Sequence, residues 1–125
     1  EILRVDVIKI VVSDNTFSNS NIQNCILKSN EEIIKFAQKM GITKGKTVRL
    51  ANVVNDKKEE AERLIAREES TKSEAIISLL VNSEFKGFLF FESVDESTFS
   101  VDQSTDYLEF FAQVISKHME SLLYK

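Results

Sequence analysis

The chain has 125 residues, of which 42% are hydrophobic, which suits one compact domain with its own core and is too little for two. Its net charge is −4 with scattered basic residues, and no apolar run reaches the roughly 20 residues that span a bilayer. Neither nucleic acid nor membrane contact is therefore expected of this segment, and a single cysteine, Cys25, excludes an intrachain disulfide and favours a reducing, cytoplasmic location.

Two strands are predicted at the start of the chain. In the strand-like segment Arg4 to Val12, the run that begins at Val5 is apolar on both faces except at Asp6 and Lys9, which indicates a central strand that is covered on both sides. Residues 13–21 are rich in turn formers and predict a hairpin connection or a loop. Ile22 to Lys28 alternates weakly, which suits a neighbouring or edge strand.

A helix and a third strand follow. Ser29 and Glu32 form a capping box, and periodic apolar residues then continue to a stop at Gly41, so a helix is predicted over residues 30–40. Residues 44–54 read as a turn leading into a strand, because polar and apolar positions alternate there.

The next segment predicts a charged helix and then a hairpin. Residues 55–70 carry mostly charged side chains with few apolar ones to bury, as in a solvated helix. Glu74 to Val81 and Phe85 to Phe91 are apolar strands that are separated by a short turn signal. We expect these two strands to pair antiparallel.

The last predicted element is a long amphipathic helix over residues 100–125, which begins at a capping box of Ser100 and Gln103. Two apolar lines run along it, and the second is more than one sheet requires. We therefore expect the second line to contact another subunit or an N-terminal helix that precedes residue 1. The first line is Val101, Leu108, Ile115 and Leu122, and the second is Tyr107, Phe110, Val114 and Tyr124.

Gly87 interrupts the most apolar strand. Because glycine has no Cβ, it lets a helix lie close to a sheet, so we expect Gly87, Leu89 and Phe91 on the face that carries the terminal helix. The opposite face is then the place for a pocket. The candidate ligand-binding residues that we assign to that opposite face are Phe88, Phe90, Ile77 and Leu79.

The order of elements and the short motifs of the second half resemble a GAF domain, the small sensory module found ahead of bacterial diguanylate cyclase, phosphodiesterase or histidine kinase outputs. The matching positions are Ser73, Leu79, Gly87, Glu92, Phe99, Ser100 and Gln103. The resemblance implies an α+β fold: a central antiparallel sheet of about five or six strands, a long C-terminal helix on one face, and shorter helices and loops on the other. Residues 1–125 would then be one such domain, excised from a longer signalling protein.

The resemblance also implies a function. A GAF-like domain serves as a non-catalytic sensor that binds a small molecule and relays a change through its C-terminal helix, or as a ligand-free dimerisation module. In both cases we expect a homodimer, with Tyr107, Phe110 and Val114 on the contacting helix.

The identity of a ligand or cofactor cannot be assigned from these residues. The charged motif of cyclic-nucleotide-binding relatives is absent, Cys25 and His118 are too far apart in sequence for a bilin site, and no metal or haem site is evident. An enzyme is not expected. The free methionine-R-sulfoxide reductases that share the GAF fold need an attacking and a resolving cysteine, and this chain has one cysteine. No local motif places a nucleophile beside His118.

Overall fold

The computed structural model describes residues 5–14, 25–42, 48–52, 64–66, 68–81, 84–99 and 106–123. The strands are β1 (Val7–Ser13), β2 (Cys25–Lys28), β3 (Val48–Asn52), β4 (Ser73–Val81) and β5 (Glu84–Ser93), and the helices are α1 (Asn30–Met40) and α2 (Asp106–Leu123). The fold class is therefore α+β, as predicted, with one five-stranded sheet and a C-terminal helix.

The sheet is mixed, with strand order β2-β1-β5-β4-β3. Strands β1, β5, β4 and β3 pair antiparallel, including the predicted β4–β5 hairpin. Strand β2 instead pairs parallel with β1, where Ile10 lies opposite Cys25. The expectation of an antiparallel sheet is therefore wrong for this pair. Two parallel strands must be joined by a crossover, whereas a hairpin turn joins antiparallel strands. Residues 15–24, which include most of the expected turn, lie outside the described part.

Helix α1 has the predicted bounds, and its caps explain why. The Ser29 hydroxyl accepts a hydrogen bond from the Glu32 amide at 3.2 Å and donates one to the Glu32 carboxylate at 3.1 Å. Gly41 ends the helix in the left-handed conformation, with φ of 70°. Because these signals are local, the sequence carries them completely.

Helix α2 lies on one face of the sheet, as predicted, and packs mainly against β4. Leu108, Ala112 and Met119 are buried there, and Ile115 packs beside them. The predicted capping box, Ser100 and Gln103, lies outside the described residues, and so do Val101 and Tyr124 of the two apolar lines. The side chains of Tyr107 and Leu122, two further members of these lines, also lie outside the described part.

A β-bulge next to Gly87 interrupts the β4–β5 ladder. Leu79 lies opposite Gly87, but Leu80 lies opposite Phe85, so β5 has one extra residue at this point. The bulge reverses the alternation of β5. As a result Phe85 lies on the same face as Phe88, and their ring centroids are 5.2 Å apart.

The sheet separates two apolar layers. The layer beneath α2 contains Leu89 and Phe91, as predicted for these two residues. The layer beneath α1 contains Phe88 and Phe90, also on the predicted side. The placement of Ile77 and Leu79 on the α1 face is wrong, since both lie in the α2 layer. Residues directly opposite each other in an antiparallel pair share a face, and these two lie opposite Leu89 and Gly87.

The predicted charged helix falls largely on residues outside the described part. Among the described residues of this segment, Leu64 and Ile65 form a bend rather than a helix. Leu64 is buried in the α1 layer, and Ile65 packs against it. This part of the segment therefore covers the sheet instead of lying on a solvated helix.

Candidate functional site

The expected pocket face is filled by an aromatic layer. Phe36 of α1 contacts Phe88 edge-on, with ring centroids 5.3 Å apart, and lies 5.9 Å from Phe90. Phe88 and Phe90 are completely buried. These rings therefore form core packing in this conformation, and a ligand would contact them only if α1 moved away from the sheet.

A buried carboxylate lies at one end of the same face. Glu92, in β5, is fully buried. Its Oε1 atom accepts hydrogen bonds from the Thr71 hydroxyl at 2.6 Å and from the Glu68 amide at 3.0 Å. Its Oε2 atom lies 3.1 Å from Lys9 Nζ and forms an ion pair with it. Among the described residues, Oε2 accepts no hydrogen bond of ordinary geometry.

Lys9 connects this carboxylate to the segment that precedes β4. Its ammonium donates a hydrogen bond to the Ala66 carbonyl at 2.9 Å and lies 3.4 Å from the carboxylate of Glu68. The Lys9 side chain is 18% exposed. Strand β1, strand β5 and three residues ahead of β4, Ala66, Glu68 and Thr71, are therefore held together by one polar cluster, which we call the Lys9–Glu92 cluster.

Opposing effects act on the Glu92 carboxyl. Burial raises its pKa, but the hydrogen bonds from Thr71 and the Glu68 amide, together with Lys9, outweigh burial, so that the pKa is lowered from its ordinary value. Glu92 is thus held as a carboxylate at neutral pH. Glu74 lies directly opposite Glu92 in the β4–β5 pair and is also fully buried, so two acidic side chains share this end of the face.

The sequence analysis did not assign a role to this cluster. A signal was present, because Lys9 interrupts an otherwise apolar strand and Glu92 follows the phenylalanine run of another. Opposite charges in two strands predict an ion pair only when the strands are known to be neighbours. That relation follows from the β1–β5 pairing, which the sequence does not show.

Other positions of the GAF-like pattern also have structural contacts. The Ser73 hydroxyl donates a hydrogen bond to the Asp95 carbonyl at 2.6 Å and accepts one from the Phe99 amide at 3.3 Å. Both Ser73 and Phe99 are completely buried. These residues fasten the segment that follows β5 to the start of β4.

The outer side of α2 carries exposed apolar side chains. Phe110 is 65% exposed and Val114 is 51% exposed, although neighbouring Leu108 and Ala112 are buried against the sheet. Phe111, half exposed, reaches over the side of the helix and contacts Phe91 edge-on, with ring centroids 6.1 Å apart. Two of the three predicted contact residues, Phe110 and Val114, therefore lie together on the exposed side.

A groove of about 320 Å³ runs between β4 and the other side of α2. Its floor is apolar and its rim carries both acidic and basic side chains. The lining residues are Ile77, Ser78, Leu80, Glu109, Ala112, Gln113, Ser116, Lys117 and Glu120. The Ser116 hydroxyl donates a hydrogen bond to the Leu80 carbonyl across the groove. Of the four predicted ligand-binding residues, Ile77 lines this groove.

The remaining candidate groups do not converge. Cys25 lies in β2, and burial raises the pKa of its thiol, whereas His118 is an exposed residue of α2. Across the described ranges, no group of three or more histidine, cysteine and acidic side chains is placed to hold a metal ion. No helix in these ranges is both long and apolar enough to cross a membrane.

Comparison with known proteins gives one family. The family described as "Protein of unknown function, DUF484" matches residues 28–123, from the end of β2 to the end of α2. No curated protein and no solved structure matches the chain.

Proposed function

The chain belongs to the DUF484 family, and on that premise we propose that it is a non-catalytic regulatory module with a GAF-like architecture that self-associates through α2 and relays changes to a neighbouring domain. The mixed sheet with a helix on each face is compatible with that architecture. The cytoplasm of a bacterial cell is the proposed location.

The exposed side of α2 carries this proposal. A helix that packs on one sheet needs a single apolar stripe, and the buried residues of α2 already provide it. Phe110 and Val114 form a second stripe, one turn apart on the side that faces away from the sheet. Fully burying a side chain of this kind contributes about 1.5–3 kcal/mol, so a contact surface is the simplest use for the pair.

Substitution of this pair tests the proposal. We expect Phe110→Glu with Val114→Glu to weaken self-association in analytical ultracentrifugation and to leave the circular dichroism spectrum unchanged. The control is Ile34→Glu with Gln38→Glu, which adds the same charge at two exposed positions one turn apart on α1, beneath the opposite face. Equal association of both variants, or a monomeric wild type, would remove α2 as the contact surface.

A small-molecule sensor is the second candidate function, and the groove beside α2 favours it. Its volume falls at the lower end of the range of ligand sites, about 300–1,000 Å³, and its lining combines apolar and polar groups. A molecule bound there would touch the same helix that we propose as the relay. A ligand would change the balance between two conformations of the domain only by as much as its affinities for those two conformations differ.

Native mass spectrometry of the protein purified from cells tests this second function. We expect a retained small molecule that is lost in Ser116→Lys, which places a longer, charged side chain in the groove. Ser121→Lys is the control, because Ser121 is an exposed serine of the same helix that does not line the groove. A wild-type mass equal to that of the bare chain would count against the sensor and would leave the self-associating module standing.

A further inference from the structure

The chain just ahead of β4 lies on the sheet without joining its backbone ladder. We define the strap as residues 66 and 68–71, of which Thr71 is buried and the others are exposed. The strap makes one backbone hydrogen bond with itself, from the Thr71 amide to the Glu68 carbonyl at 3.1 Å, which closes a turn. Within the described ranges, no backbone hydrogen bond joins the strap to a strand.

One carboxylate oxygen holds both ends of that turn. Glu92 Oε1 accepts the hydrogen bond of the Glu68 amide at 3.0 Å and that of the Thr71 hydroxyl at 2.6 Å. The Lys9 ammonium, which is paired with the other oxygen of Glu92, donates to the Ala66 carbonyl at 2.9 Å. Among the described residues, the polar contacts of the strap with the sheet therefore all end on two side chains, Lys9 and Glu92.

The chain is anchored on both sides of the strap. Before it, Leu64 is buried in the α1 layer and Ile65 packs against that layer. After it, the Lys72 amide donates a hydrogen bond to the Ser93 carbonyl at 2.8 Å, and β4 begins at the next residue. The strap is thus a short span between two fixed points.

From this arrangement we infer that the strap opens and closes on the folded sheet, with the Glu92 carboxylate as its latch and the Lys9 ammonium as a second hold. Segments that bury little apolar surface and lack ladder hydrogen bonds are those that open locally, at a free energy below that of global unfolding. Opening would break the contacts on Lys9 and Glu92 and leave the strand pairing intact.

The consequence of opening is access to a buried charge. Glu92 is completely buried while the strap is closed, at one end of the face that carries the α1 layer. An open strap would bring water and solutes to its carboxylate. The strap would therefore control access to the charged end of this face, whether or not the domain self-associates.

Native-state hydrogen exchange, followed by NMR, tests the inference in the wild-type protein. The amides of Glu68 and Thr71 are the reporters, because each donates a hydrogen bond within the closed arrangement. We expect both to exchange faster than the slowest amides of β4 and β5, at a rate that low concentrations of urea leave unchanged, since local opening exposes little surface. Exchange that accelerates with urea in parallel with the strand amides would show that the strap opens only on global unfolding, and would overturn the inference.

Thr71→Val tests the latch, because valine has nearly the same shape as threonine and lacks the hydroxyl donor. We expect exchange of the Glu68 amide to accelerate by about tenfold or more, the effect of losing one hydrogen bond to a charged group. Thr98→Val is the control, since Thr98 is similarly buried but its hydroxyl accepts a hydrogen bond from Ser93, outside the strap. Equal acceleration in both variants, or in neither, would overturn the role of Glu92 as the latch.

Discussion

At the scale of single residues, Gly87 shows how a backbone contact determines an amino acid. A Cβ at this position would overlap the Val11 carbonyl oxygen and would lie 2.9 Å from Val12 Cα, both in the neighbouring strand β1. The glycine does share a face with α2, as predicted, because it lies opposite Leu79. The nearest atoms are nevertheless those of β1, so the close approach of two strands beside the bulge requires the glycine.

We therefore expect Gly87→Ala, and not only a larger substitution, to destabilise the fold. The added methyl group meets backbone atoms that cannot move aside without distorting the β1–β5 pair, and overpacking of this kind costs about 1–3 kcal/mol. Thermal unfolding followed by circular dichroism measures the effect. Gly41→Asn is the control, because asparagine tolerates the left-handed conformation and that position has open space around it. An unchanged midpoint for Gly87→Ala would contradict the proposed overlap.

The same scale shows a limit of sequence patterns. Alternation within β5 correctly separated Phe88 and Phe90 from Leu89 and Phe91. It gave no information about which residues of β4 join each set, because that depends on the register of the hairpin. With the observed register, Ile76 rather than Ile77 lies beside Phe90.

At the scale of secondary-structure elements, predictability follows the range of the determining interactions. Helix α1 was predicted to the residue because Ser29, Glu32 and Gly41 supply its caps within the chain segment itself. Hairpin β4–β5 was also predicted, since its strands are adjacent in sequence. The parallel β1–β2 pair was not, because the composition of a connection does not show whether the chain turns back or crosses over.

The candidate surfaces follow the same rule. The exposed stripe of α2 was predicted at Phe110 and Val114, because helical periodicity is local. The Lys9–Glu92 cluster was missed, because it joins residues from three separate parts of the chain.

At the scale of the whole molecule, the Lys9–Glu92 cluster links the central strands to the segment before β4. Glu92 is the shared acceptor, and a buried charge that loses its partner is costly, typically about 3–5 kcal/mol. After loss of the Glu92 charge, Lys9 would still be partly exposed and would still lie beside the carboxylate of Glu68. We therefore place the cost of removing the Glu92 charge near the lower end of that range.

The pH dependence of unfolding tests this role. Because the pKa of Glu92 is lowered in the folded state from the ordinary value of 4.5, its charge contributes fully above that value, and the contribution is lost as the pH falls through the folded pKa. We expect Glu92→Gln to reduce the free energy of unfolding by about 3 kcal/mol at neutral pH. The difference from wild type should shrink on acidification below about pH 4.5, since the other carboxyl groups titrate in both proteins.

Urea unfolding at a series of pH values measures this difference in the free energy of unfolding, with Glu96→Gln as the control for loss of an exposed carboxylate. If the difference were the same at pH 3 and pH 7, Glu92 would not be held as a carboxylate by its partners, and the link between the central strands and the segment before β4 would rest on packing and neutral hydrogen bonds instead.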